Sequence, residues 1–337
     1  MLHNSFKSVN KQLTILLVLC ILPFSIPQTH AQLDESRKDI QLNTSPKYPG
    51  PNEIVRVEAQ SYSFDTRTTL FTWSVDDVEK GSGIGKTSVS ITTKNIGVST
   101  RVTVKASPAS GIPYENSITI TPSHMDVLWH SNSYTPAWYR GKALPARGSI
   151  VIITALPMFT YQGTGVKSSA LVYDWWLDNK LLRSGSGIGK NSLSVNISSN
   201  GNIVHRVRVR AADPASGITQ EKNINLVVQN PKLLFYELDP LRGPRADTAI
   251  GNLFTLPAGS ETKFLSVPYY ISGNPRSFQH TWNVGTANLP VSGDADPTAL
   301  TYRAEQGAAG RQTISLILEN PRQITEQVRG SFQIIVQ

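Results

Sequence analysis

The stretch Gly81-Ser82-Gly83-Ile84-Gly85-Lys86 returns 104 residues later as Gly185-Ser186-Gly187-Ile188-Gly189-Lys190. The flanks return in the same order. Upstream, Phe71-Thr72-Trp73 matches Tyr173-Asp174-Trp175. Downstream, Arg101-Val102-Thr103-Val104-Lys105-Ala106 matches Arg206-Val207-Arg208-Val209-Arg210-Ala211, and Pro108-Ala109-Ser110-Gly111-Ile112 matches Pro214-Ala215-Ser216-Gly217-Ile218. Ordered matches at a nearly constant offset mean that a unit of about 105 residues has been duplicated. A third copy is in register: Trp282 follows Trp175 by 107 residues, and Pro321 closes an apolar run at 314–318 as Pro108 and Pro214 close theirs. It lacks the glycine loop, has Gly285 and Gly293 in that region, and reads as a diverged module.

The pattern inside each copy is β. Ile54-Val55-Arg56-Val57-Glu58-Ala59, Val89-Ser90-Ile91-Thr92 and Leu193-Ser194-Val195-Asn196-Ile197 alternate with period two, as half-buried strands do. Gly, Pro, Asn and Ser clusters interrupt them every 8–12 residues or so, the rhythm of a sandwich. No amphipathic stretch is long enough for a helix. A repeat of about 105 residues matches one sandwich domain with its own core. The expected fold is therefore all-β: three tandem immunoglobulin-like β-sandwich domains at 46–124, 125–230 and 231–337. A flexible polar tail is expected at 32–45.

Residues 1–31 read as a signal peptide. Lys7 and Lys11 precede an apolar run at 13–22, too short to cross a hydrocarbon core of ~30 Å. Pro23 and Pro27 break it, and Thr29-His30-Ala31 places small residues for cleavage before Gln32. The alternatives are an uncleaved anchor and lipidation of Cys20, the second disfavoured by Leu19 before the cysteine. Cys20 is the one cysteine, so the mature chain excludes disulfides and cysteine-based metal sites. With 39% hydrophobic and 17% charged residues, the chain has the composition of a globular protein. Export is expected, to the cell surface, the periplasm or the medium.

The aromatic-x-Trp and Trp segments Phe71-Thr72-Trp73, Tyr173-Asp174-Trp175 and Thr281-Trp282-Asn283, with the valine-alternating strand and the closing Asp213-Pro214-Ala215-Ser216-Gly217, resemble PKD-type immunoglobulin-like domains. The arrangement is also similar to that of repeat-containing exported bacterial proteins. Where that family has Gly-Asp-Gly after the tryptophan, this chain has Asp76-Asp77-Val78 and Asp178-Asn179-Lys180, which leaves a generic bacterial immunoglobulin-like assignment open. The resemblance implies a spacer, an adhesive module or an accessory binder.

Several residues invite a sharper reading. The Gly-Ser-Gly-Ile-Gly-Lys loop is one residue short of a phosphate-binding loop and no helix follows it, so it reads as a glycine-rich turn. Trp73, Trp175 and Trp282 are sugar platforms or, by alternation with Phe71 and Val75 or with Tyr173 and Leu177, core residues. Trp176 faces the other way and has no counterpart, which suits an exposed contact. Trp138, Tyr139 and Arg140 lie in an aromatic and cationic segment, 129–142, that suits glycan or anionic polymer. Its likeness to 233–240 also allows an opening strand and hinge.

The formal net charge is +8. Residues 125–230 carry eleven basic and five acidic groups, whereas 32–124 carry ten of each and 231–337 nine of each. Alternation puts Arg206, Arg208 and Arg210 on one outward face. They face an anionic wall polymer, a glycan or another surface protein, or else cross-strand acids on a solvated face. No nucleic acid, cofactor or metal is expected, and membrane contact only through an uncleaved signal peptide. Asp76-Asp77 and Asp294-Ala295-Asp296 complete no calcium-ligand series and read as turns. Neither a His-Glu-x-x-His nor a Gly-x-Ser-x-Gly motif is present. The expectation is a non-catalytic modular surface protein, a spacer or adhesive binder, or alternatively a carbohydrate- or wall-polymer-binding accessory protein using the middle domain.

Overall fold

The three tryptophan segments fold into three equivalent strands. In a computed structural model, which describes residues 40–337 except 110, 199–202, 286, 290–295 and 324, these strands are Leu70–Val75, Val172–Leu177 and Gln279–Val284. Each buries its second and fourth residues, so Trp73, Trp175 and Trp282 face inward with Phe71, Tyr173 and His280. Each pairs antiparallel with the next long apolar strand: Thr100–Ser107, Val204–Ala212 and Gly310–Glu319. The tryptophans lie opposite Val104, Val209 and Leu316, which brings the three units into one register.

Around these pairs the chain builds three tandem immunoglobulin-like sandwiches. The first faces a sheet of Gln41–Ser45, Ile54–Gln60 and Ser88–Thr92 against one of Val78–Ile84, Leu70–Val75, Thr100–Ser107 and Tyr114–Ile120. Its core includes Val55, Val57, Phe71, Trp73, Val102 and Val104. The second faces Ser192–Asn196, Ile150–Met158 and His124–Ser131 against a sheet centred on Val172–Leu177, Val204–Ala212 and Thr219–Val227. Val151, Ile153, Tyr173, Trp175, Val207 and Val209 fill it. The third sets Lys232–Asp239, Glu261–Tyr269 and Ala299–Arg303 against Leu253–Leu256, Gln327–Val336, Gly310–Glu319 and Gln279–Val284. Here Leu253–Leu256 runs parallel to Gln327–Val336, unlike its neighbours. No helix among the described residues is long and apolar enough to cross a membrane.

The expected flexible tail at 32–45 needs correction over its last residues. Gln41–Ser45 is an edge strand paired with Ile54–Gln60, from Gln41 opposite Gln60 to Ser45 opposite Arg56. Ile40 is buried in the first core, and its carbonyl accepts the Asn116 amide at 2.6 Å. A polar edge strand shows little alternation because its backbone supplies most of the pairing. Residues 1–39, and with them the signal-peptide reading, lie outside the described residues.

The sandwiches touch through specific contacts. Buried Gln220 of the second donates its amide to the carbonyls of Ser123 (2.7 Å), Tyr48 and Pro49 (both 3.3 Å). Gly97 of the first has φ of 77° and lies so near Thr160 that a Cβ would sit 2.6 Å from the threonine Cβ. Only glycine fits both the backbone conformation and the approach.

Candidate binding faces

The repeated glycine loop serves the tryptophan. The Trp73 indole N–H donates to the Lys86 carbonyl at 2.7 Å, and that of Trp175 to the Lys190 carbonyl at 2.9 Å. In the third unit, which lacks the loop, Trp282 donates to the Pro297 carbonyl at 3.1 Å. A buried indole N–H needs such a partner. Gly85 and Gly189, both with φ of 70°, turn the chain so that the carbonyl arrives there.

The acidic pairs after the tryptophan strands form hairpin turns. Asp76 and Asp77, like Asp178 and Asn179, have positive φ at both central positions of a two-residue turn, as a type I′ hairpin requires. Asp76 accepts the Arg101 backbone N–H and the Lys94 ammonium, at 2.9 and 2.8 Å. The Lys94 bond holds its carboxyl below the usual range. Asp178 accepts the Arg206 N–H at 2.9 Å and faces His205 Nδ1 at 2.8 Å. Of the other acidic run, 294–295 lie outside the described residues, and Asp296 accepts Arg276 and Thr298.

On the second sandwich the three arginines share the outward face of Val204–Ala212, while His205, Val207 and Val209 face the core. Their surroundings differ. Arg210 pairs with Asp174 at 2.5 Å, a bond that raises its pKa further, and Tyr48 also approaches it. Arg208 lies opposite Trp176, its guanidinium carbon 4.0 Å from the ring centroid, a cation–π stack. Trp176 is thus half-buried beneath arginine. Arg206 is exposed opposite Asn225, and neither it nor Arg208 pairs with a carboxylate among the described residues. The register gives Arg101, Thr103 and Lys105 as equivalents in the first unit and Thr313, Ser315 and Ile317 in the third, with Ser74 and Asn283 in place of Trp176.

Segment 132–148 forms a strap. It leaves the second sandwich after His124–Ser131 and packs against the third. Tyr134 exchanges backbone hydrogen bonds with Ile271 and Tyr270, at 2.7 and 2.9 Å. Tyr139, partly buried, hydrogen-bonds its hydroxyl to that of Tyr270 at 2.7 Å and meets Tyr269 edge-on. Tyr236, Val267, Tyr269, Tyr270 and Ala146 complete this buried cluster, and burial pushes the Tyr269 and Tyr270 hydroxyls up. Lys142 lies over the Trp129 ring, 3.2 Å from its centroid, and desolvation lowers its pKa. The segment expected as a hinge is fastened to the third sandwich through Tyr134 and Tyr139, and Lys142 is spent on Trp129. Trp138 and Arg140 stay exposed. Sequence reading missed Tyr236, Tyr269 and Tyr270, which lie about 100 residues or more from the strap in the chain.

No protein-family model matches the chain, and no curated protein matches it. Among solved structures, three N-terminal domains of the highly immunogenic outer capsid protein of bacteriophage RB49 align over 89% of this chain and 98% of theirs, at 12% identity and a TM-score of 0.25. The fibronectin(III)-like modules of Clostridium thermocellum CbhA align over 56% of this chain and 94% of theirs, at 13% and 0.26. SGBP-B of the Bacteroides ovatus mixed-linkage glucan utilization locus, solved with a mixed-linkage heptasaccharide, aligns over 88% of this chain and 66% of that one, at 12% and 0.22.

Proposed function

We propose that this chain is a non-catalytic, exported modular binding protein whose middle sandwich holds an acidic polymer, such as a wall polymer or acidic glycan, while the flanking sandwiches act as spacers. The supporting observation is the pair Arg206 and Arg208 on one sheet face, free of carboxylate partners among the described residues, with Arg208 ordered by Trp176. An arginine fixed by an aromatic ring keeps its in-plane donors for a carboxylate or phosphate and loses little entropy on binding. The flanking units lack this combination. Export rests on the Lys7 and Lys11 run and the Thr29-His30-Ala31 site; a PKD subtype with boundaries near Met125 and Pro231 rests on the repeated tryptophan segments.

Retention of the whole mature chain on immobilised polyanionic wall material tests this. Retention should fall as salt rises, since exposed charge contacts are screened. The Arg206→Ser, Arg208→Ser double variant should elute earlier, whereas Arg101→Ser, Lys105→Ser in the first sandwich should change little. Identical elution of the double variant and the unaltered chain would sink the proposal.

A further inference from the structure

A concavity lies where the strap meets the third sandwich, and none of its described lining residues belongs to the arginine face. Its volume of about 450 Å³ sits within the rough 300–1,000 Å³ range of small-molecule sites, which favour domain junctions. Tyr134, Trp138, Pro268, Asn274, Arg276 and Asp296 line it. Trp138 is 36% exposed yet braced: Tyr236 meets it edge-on, with ring centroids 6.0 Å apart. Tyr134 is held by its two backbone bonds to the third sandwich.

The polar lining is equally fixed. Asp296 accepts Arg276 at 2.7 Å and the Thr298 hydroxyl and N–H at 2.5 and 3.1 Å. Burial opposes its ionisation, but these donors outweigh burial and hold the carboxyl below the usual range. The Asn274 side-chain oxygen accepts the Arg276 N–H at 3.0 Å, which leaves its NH₂ group for another partner. Among the described lining residues Arg276 and Asp296 are the charged groups, and their charges cancel.

We infer that this cleft binds a neutral pyranose unit of a glycan. A pyranose has a C–H face that packs on aromatic rings and a rim of hydroxyls that donate and accept at once. Trp138 and Tyr134 meet the first need. The fixed carboxylate, guanidinium and carboxamide meet the second without net charge.

The test is calorimetric titration of the whole mature chain with cellohexaose, maltohexaose, xylohexaose, mannohexaose and N-acetylated chitohexaose in turn. At least one should bind saturably. Trp138→Ala should weaken that binding about tenfold or more, which corresponds to roughly 1.4 kcal/mol. Trp138→Phe, which keeps a ring, should stay within a few-fold of the unaltered chain. Bound sugar should also shield the unaltered chain, but not Trp138→Phe, from part of its acrylamide quenching, a readout that survives if the alanine variant misfolds. Arg206→Ser with Arg208→Ser should leave titration unchanged, which separates this site from the arginine face. Absence of saturable binding to all five sugars, or equal binding by Trp138→Ala in folded form, would overturn the inference.

Discussion

Truncating Trp175 removes a fully buried indole from beside its cross-strand neighbour Val209 and leaves the Lys190 carbonyl without its donor. Trp175→Ala should cost about 3–5 kcal/mol, as aromatic-to-alanine changes in cores do. Trp175→Phe, which retains most of the volume, should cost less. Denaturant unfolding of both variants checks this; a loss under about 1 kcal/mol for alanine would be incompatible with the packing described. The burial of this residue was legible, because period-two alternation with Tyr173 and a repeated position mark an inward residue. The purpose of the glycine loop was not. Its contact is a backbone carbonyl delivered to an indole fifteen residues away, and a sequence shows glycine's freedom without showing what the turn aims at.

At the scale of elements, the strap carries the clearest consequence. Tyr139→Phe removes one hydroxyl contact with Tyr270 and should cost about 1 kcal/mol. Tyr139→Ala should also open the aromatic cluster and free segment 132–148. Hydrogen exchange at the amides of Tyr134 and Tyr270, whose acceptors lie across the junction, should quicken markedly in the alanine variant and little in the phenylalanine variant. Equal exchange in both would mean the strap is held elsewhere. Sequence patterning could not find this element. Segment 132–148 carries Pro136, Pro145, Gly141 and Gly148, the punctuation of a loop, and its tyrosine partners are distant in the chain. The edge strand Gln41–Ser45 escaped for a related reason: its stability comes from backbone pairing that side-chain periodicity does not record.

For the whole molecule, Gln220 is the test of how firmly the first two sandwiches are joined. Gln220→Ala leaves the carbonyls of Ser123, Tyr48 and Pro49 without this donor, a cost of about 1–3 kcal/mol where they are buried. Residual dipolar couplings from the two sandwiches should fit one alignment tensor in the unaltered chain and require two in the variant. A single tensor in both would show that other contacts suffice. The tandem arrangement was legible from three tryptophans at nearly constant spacing, 102 and 107 residues. The junctions were not, since they depend on contacts between residues distant in the chain, such as Gly97 against Thr160 and Tyr139 against Tyr270.

The strap also decides which part of this chain can be inherited or transplanted as a piece. By chain order it belongs to the second sandwich, which Lys142 still touches at Trp129, while its tyrosines pack on the third. A recombination point near residue 231 would separate them and strip a greasy tyrosine-rich flank bare on the orphaned third unit, inviting aggregation. The second and third sandwiches therefore form one cassette, and a functional swap or fusion should carry both across together.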